Sequence, residues 1–584
     1  RTGSGQVWSA APSGNNLAQV TDIEGGVEGF SVSPSGDRIL YIKRVPVVKR
    51  SSSELYSDLG RSKAKIYDDL MERHWDYWDD GSYLHLFVAD MAGRVTGGTD
   101  IMEGEPWDAP LAPYFDASEI VWNHAGTQLA YTCKKLTGTQ YALSTDSDIY
   151  LYDVASGRTS NLTEGMPGYD KYPVFSPDDS MIAFTSMERP GNESDKDRLF
   201  VMSLADGSKR YLTEGFDYNA GNVRWADDST LLFLSPIRAT IQLCSVSLSG
   251  GPVRVITSGA HDLNAFSAAG GRVVAEMTTL GSPTELFDVN PSDGAMTRIT
   301  NTNAEIYEHI RMGKVEERWV ETTDGKRMLV WVVLPPDFDP SKKYPALLYC
   351  QGGPQSVVSQ FWSYRWNLQL MAAQGYVVVA PNRRGLPSFG QEWLDQISGD
   401  YSGQNIRDYL SAIDDVSAEP WVDRDRLGCV GASYGGYSVF FLAGNHQKRF
   451  KAFIAHCGMF NFESMYGATE ELWFPNNDLG GPYWSDSPVA RRSYANSPHK
   501  FVKNWDMPIL IFSGQRDFRI PYTESLQAFT AARLMGVPSR LVSFEDEAHQ
   551  VFKPQNSLVW NREFFSWLDR YVKNAETPAE QTGR

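Results

Sequence analysis

The chain has 584 residues, 42% of them hydrophobic and 22% charged, with a net charge of −18 and a pI near 5.0. That length exceeds what a single hydrophobic core organises, so two or more domains are expected. The acidic balance excludes nucleic acid as a partner and suits a cationic ligand such as the amino terminus of a peptide, and with no apolar run of about eighteen residues a membrane-spanning helix is excluded too.

The chain opens on Arg1 rather than Met and carries no signal pattern, so a segment ahead of it is expected to have been removed. Over the first 310 residues two short motifs alternate. One is a turn of the Ser-Pro-x-Gly type followed by an apolar strand: 33–36 before 39–41, 123–126 before 129–131, 176–179 before 182–184, 225–228 before 231–233, and a worn copy at 267–270 before 273–274. The other is a short strand, a glycine turn and a threonine. Its copies end at Thr21, Thr99, Thr163, Thr213, Thr257 and Thr300, with Gly98 replacing the usual apolar residue in the second copy. A period of about 40–50 residues with two hairpins per period is that of β-propeller blades. The unpaired threonine motif comes first, so the reading is an N-terminal β-propeller over residues 1–310, of about seven blades with the first truncated. An insertion of roughly residues 44–85 interrupts the repeat and carries Glu72, Trp75, Asp76, Trp78 and Tyr83. Its aromatic residues read either as core or as the lining of a cavity.

After residue 310 the pattern changes to strand–helix alternation. Apolar strand candidates span 328–334, 346–350, 376–380, 426–430, 452–455, 508–512 and 540–544, with helical patterns at 406–416, 523–535 and 561–572. This predicts a mostly parallel sheet covered on both faces across residues 311–584. The five cysteines, Cys133, Cys244, Cys350, Cys429 and Cys457, are odd in number and lack a Cys-x-x-Cys pair, so they read as buried free thiols.

Within this half, Gly431-Ala432-Ser433-Tyr434-Gly435-Gly436 follows one apolar strand and opens a helix. That is the setting of a nucleophile elbow in an α/β-hydrolase domain: the turn is too tight for a Cβ at Gly431 or Gly435, and it lifts the serine hydroxyl above the sheet edge at a helix N-terminus. A serine hydroxyl needs a base, and the base needs an orienting acid. In this fold they follow the serine in the order acid, then histidine. Asp517 and His549 each end a strand-to-loop segment in that order, whereas His456 reads as a core residue and His446 and His499 lie at polar helix ends. The oxyanion of an acyl-transfer intermediate needs two amide donors. The backbone N–H of Tyr434 supplies one, and the turn Gln351-Gly352-Gly353-Pro354 offers that of Gly353 as the other. With no metal-ligand cluster or nucleotide-binding loop in the sequence, no metal and no cofactor are expected.

Together with Gln355-Ser356, Asn382-Arg383-Arg384-Gly385 and the insertion segment 68–76, these motifs resemble the prolyl oligopeptidase family of serine peptidases, within it the dipeptidyl peptidase V group, over nearly the whole chain. The resemblance implies a propeller covering the hydrolase site, peptide substrates, and acidic side chains that hold a free amino terminus. Glu193 and Asp195 in one propeller loop, and Glu72 and Asp76 in the insertion, are the candidates for that role; solvated loop carboxylates are the alternative for each. It further implies a periplasmic or secreted location and allows a homodimer. The implied activity is release of dipeptides from peptide amino termini. An acylaminoacyl-peptidase or oligopeptidase of the same chemistry, and a non-catalytic propeller that binds a partner, are the alternatives. Gln351 departs from the histidine usual before Gly-Gly-Pro in such proteins, a change expected to alter the loop's hydrogen bonds without removing a backbone donor.

Overall fold

The structure, a computed structural model, describes residues 3–112 and 116–574. Its N-terminal part is built from antiparallel meanders taken in chain order. Four strands, Gly29–Val32, Arg38–Pro46, Ser82–Asp90 and Thr99–Asp100, form the first. Equivalent sets follow over residues 120–161, 170–211, 221–255 and 262–298, the last two joined by a parallel bridge between Ile241 and Asp262. Ahead of them, Trp8–Ser9 pairs with Ala18–Gln19 as a two-stranded remnant. Each meander packs on the next through apolar side chains. Leu40, Ile42 and Leu86 of the first meet Leu129, Tyr131 and Tyr150 of the second, and Leu232 and Leu243 of the fourth meet Leu263, Phe266 and Val273 of the fifth. The remnant and the Thr21 repeat are the same unit. The described residues of this part hold five four-stranded sets and this two-stranded pair.

The recurrent threonine has a structural reason. The Thr21, Thr163, Thr213, Thr257 and Thr300 hydroxyls accept hydrogen bonds from the N–H groups of Val7, Ile149, Leu199, Leu243 and Leu286, each fourteen residues earlier, at 2.8–3.1 Å. The hydroxyl thus satisfies a strand N–H where the outermost strand leaves the ladder, a group that burial would make costly to leave unpaired. Replacing Thr213 by valine keeps the shape and removes the acceptor. It is expected to destabilise the protein by about 1–3 kcal/mol, read as a lower urea midpoint at unchanged slope; an unmoved midpoint would refute the role.

The C-terminal part is organised by one eight-stranded sheet. Its strands are β1 (Val315–Glu321), β2 (Arg327–Val333), β3 (Tyr344–Cys350), β4 (Val377–Pro381), β5 (Val422–Ala432), β6 (Ala452–His456), β7 (Ile509–Gly514) and β8 (Ser539–Phe544), in the spatial order β1-β2-β4-β3-β5-β6-β7-β8. β1, β2 and β4 pair antiparallel; from β4 through β8 every pairing is parallel. Covering both faces explains the continuous apolar runs. Ala346, Leu348 and Cys350 of β3 join the core under helices α1 (Gln404–Ser417) and α2 (Tyr434–Ala443), while Leu347 and Tyr349 join the opposite core under α3 (Pro554–Leu568). Parallel β3, β5, β7 and β8 bring their C-terminal ends to one edge, where ligands of such sheets gather. The loops that follow them hold Gly353, Ser433, Asp517 and His549. No helix among the described residues is long and apolar enough to cross a membrane.

Candidate active site

Ser433 sits between β5 and α2 with φ 59° and ψ −121°, a backbone conformation that side-chain-bearing residues rarely adopt. The turn is tight because its neighbours leave no room. A Cβ on Gly435 would lie 2.0 Å from the Cys350 carbonyl oxygen, and one on Gly431 would lie 2.6 Å from that of Gly435. Both glycines are thus required, as the elbow motif predicts. The Ser433 N–H donates to the His456 carbonyl at 2.9 Å, which ties the elbow to β6.

Nδ1 of His549 lies 2.7 Å from Oδ2 of Asp517, and both side chains are buried. The other Asp517 oxygen accepts the Ile520 N–H at 2.9 Å, so the carboxylate is held from two directions. Burial, the largest single influence, disfavours the imidazolium, but the charge and hydrogen bond of Asp517 together with the Cys457 sulfur outweigh it and raise the imidazole above its usual range. Nε2 faces the Cys457 thiol at 3.9 Å. The parallel pairing of Ala432 with His456 makes Ser433 and Cys457 neighbours at the same sheet edge, so the imidazole is delivered beside the serine. Among the described residues the Ser433 hydroxyl makes no hydrogen bond, and the group facing His549 Nε2 is the Cys457 thiol; general-base catalysis by this set requires the serine and the imidazole to come within hydrogen-bond reach.

The loop after β3 packs against the serine: a Cβ on Gly352 would lie 3.5 Å from that of Ser433. Gly353 adopts φ 112°, open to glycine alone. Gln351 ties the loop through its side chain, accepting from Tyr349 Oη at 2.7 Å and donating to Ser356 Oγ at 3.1 Å. Tyr434 is the first residue of α2, where an N–H has no partner within the helix and the helix's positive end favours an anion. The two expected amide donors thus belong to loops that touch at the nucleophile.

The four acidic candidates part company. Arg189 binds Asp195 through its guanidinium and its backbone N–H. Glu72 pairs with Arg73 at 3.0 Å, and Asp76 faces Arg516 at 3.7 Å. Those three carboxylates each pair with an arginine that is not part of the buried cluster below. Glu193 instead accepts the Trp473 indole N–H at 2.9 Å, and burial pushes its carboxyl up to about 7. It belongs to a cluster that sequence reasoning missed. Glu470 and Glu471 are buried beside it, each 2.7 Å from the Arg519 guanidinium and 3.7–3.8 Å from His74 Nε2. Lys134 lies over the Trp473 ring at 4.3 Å, its ammonium pushed down to about 7 by burial. Burial also raises both Glu470 and Glu471, whose fields reach Glu193 and, for Glu470, Asp517 and His549. The insertion closes this cluster from above. The Trp75 ring meets the His549 ring edge-on at 5.6 Å, and its carbonyl accepts the Phe518 N–H at 3.3 Å, one residue from Asp517. Trp75 is one of the insertion aromatics read from sequence as core or cavity lining, and its ring lies against His549; neither His74 nor the Glu470-Glu471 pair carried such a signal.

Residues 362–575 match the model of the prolyl oligopeptidase family. The chain is 51% identical over 552 residues to a protein of Porphyromonas gingivalis named dipeptidyl-peptidase 5, covering 94% of this chain and 80% of that one. It is 46% identical over 571 residues to the protein of that name from Porphyromonas endodontalis, covering 97% and 82%. Among solved structures, Pyrococcus horikoshii acylaminoacyl peptidase superposes with a TM-score of 0.80 at 20% identity, over 98% of this chain and 87% of that one, a likeness of fold. With its elbow serine, its Asp517–His549 pair and these relatives, the chain belongs to the prolyl oligopeptidase family of serine peptidases.

Proposed function

We propose that the chain is a serine exopeptidase that releases dipeptides from free peptide amino termini through an acyl-enzyme on Ser433. Ser433 Oγ attacks the second peptide carbonyl and passes its proton to His549 Nε2, whose imidazolium Asp517 stabilises. The carbonyl oxygen takes the displaced electron pair and is held by the N–H groups of Tyr434 and Gly353. Collapse breaks the C–N bond with proton return to the leaving amine, and water then repeats the sequence to free the dipeptide. The meanders of the N-terminal part are blades of a propeller seated over this site, ending near residue 310.

The observation that carries the dipeptidyl reading is the buried acidic cluster of Glu193, Glu470 and Glu471 beside the Asp517–His549 pair. A substrate ammonium in a dry cavity requires carboxylate partners, and this cluster, whose Glu470 field reaches Asp517 and His549, supplies them. The names of the Porphyromonas relatives support the same reading. A free-amine dipeptidyl chromogenic substrate is expected to have a kcat/KM roughly 100-fold or more above that of its N-acetylated form, the size of a lost buried charge contact. Turnover of the blocked substrate alone would overturn the reading in favour of an acylaminoacyl-peptidase.

A further inference from the structure

Arg383 and Arg384 follow β4 side by side and are both buried, yet their surroundings differ. Arg384 is paired with Asp324 at 2.6 Å and Asp408 at 3.3 Å. Arg383 has no carboxylate within ion-pair distance among the described residues. Its four polar partners are neutral oxygens: Tyr409 Oη at 3.1 Å from Nε, the Arg384 carbonyl at 2.7 Å from Nη1, and the Pro354 and Gln351 carbonyls at 3.0 and 3.4 Å from Nη2. It is fully shielded from solvent. A buried guanidinium held only by dipoles is costly, since buried charges are ordinarily paired.

Its position shows which anion would complete it. The Gln351 and Pro354 carbonyls bracket Gly353, one arm of the oxyanion hole. The guanidinium carbon also lies 4.6 Å from the centre of the Tyr434 ring, and Tyr434 is the other arm. The Tyr434 hydroxyl is anchored in turn on Asn405 at 2.7 Å, so the contact fixes the residue. We infer that Arg383 is a positioning residue of the oxyanion hole: it joins the Gly353 loop to Tyr434, and its uncompensated charge is balanced by the oxyanion that forms when Ser433 adds to the carbonyl. In that step the Oγ–C bond forms, the C=O π pair moves to oxygen, and the serine proton goes to His549, so the new negative charge arises at the two amide arms that the Arg383 guanidinium joins. Such preorganised charge acts on the transition state more than on the bound substrate.

This rests on Ser433 as the nucleophile, so Ser433→Ala is measured alongside. In Arg383→Met, kcat on a free-amine dipeptidyl substrate is expected to fall on the order of 100-fold, with KM within about threefold. Affinity for a dipeptide boronic acid, which forms a tetrahedral anionic adduct on serine, should fall in parallel, while affinity for the product dipeptide holds. Arg383→Lys keeps the charge but cannot bridge both carbonyls, and is expected to recover about tenfold of the lost kcat. A kcat within about threefold of wild type in Arg383→Met, or equal losses for boronate and product dipeptide, would overturn the inference. If Arg383→Met gives no cooperative thermal melt, Arg383→Lys alone decides: a loss of about tenfold in kcat at constant KM supports the role and wild-type kcat overturns it. Turnover retained in Ser433→Ala would instead bring down the nucleophile assignment beneath it.

Discussion

Replacing His549 by alanine is expected to lower kcat by roughly 10⁴- to 10⁶-fold on a free-amine dipeptidyl substrate, because the members of a serine triad act as a unit and the residual rate comes from binding and the oxyanion hole alone. The geometry makes this the most severe single change short of losing the serine. The imidazole is fixed at Nδ1 by Asp517 at 2.7 Å, and its Nε2 is aimed at the edge shared by Ser433 and Cys457. KM should change far less, since His549 is not placed to bind the substrate's amino terminus. A kcat within about tenfold of wild type would refute the assignment. The same contacts set the direction of the pH profile. A general base must be neutral to accept the serine proton, and Asp517 raises this imidazole above its ordinary range. Activity should therefore climb as pH rises through that elevated value, and reach its plateau on the alkaline side of an unperturbed histidine.

Ser433, Asp517 and His549 could be proposed as a triad from the sequence because each sits in a recognisable local setting, and the structure brings Asp517 and His549 within 2.7 Å. An elbow serine is announced by glycines at fixed offsets, since a Cβ at Gly431 or Gly435 has nowhere to go. Asp517 and His549 were legible because parallel strands put their following loops on one edge whatever lies between them. The threonine repeat was visible as a period, although its function, an acceptor for an N–H fourteen residues earlier, became clear only from the strand pairing. What sequence could not provide was burial of charge. Arg383 and Arg384 read alike, and their difference lies in Asp324 and Asp408, brought to one of them from distant segments. Nothing in the sequence marks Glu470-Glu471 as buried. The pair is buried where Arg519 and His74 of the insertion converge on it from two distant parts of the chain.

That cluster leads to the second large effect. Replacing Glu471 by glutamine keeps the side chain's volume, leaves Glu470 to pair with Arg519, and removes one carboxylate from the proposed ammonium site. The kcat/KM for a free-amine substrate is expected to fall roughly 100- to 1000-fold, mostly through KM, because truncating one partner of a buried charge contact costs about 2–5 kcal/mol. The N-acetylated substrate and the rate of Ser433 labelling by a fluorophosphonate should stay within about threefold of wild type, as neither presents an ammonium. Equal losses on both substrates would mean that Glu471 supports the fold and does not read the amino terminus. Proton linkage provides an independent check. The cluster sets Glu193, Glu470 and Glu471 against Lys134 and Arg519, with His74 kept neutral by burial, and burial pushes all three carboxyls upward. At least one carboxyl therefore retains a proton near neutral pH, and an arriving ammonium must displace it. Affinity for a free-amine product dipeptide should then strengthen as pH rises from about 6 to about 8, with up to one proton released per molecule bound, measurable by calorimetry in buffers of different ionisation enthalpy. The raised carboxyls set that sign: below their elevated values the site is neutralised by protons, and above them by substrate. Flat affinity across that interval, with no buffer dependence, would show that these acids do not hold the amino terminus.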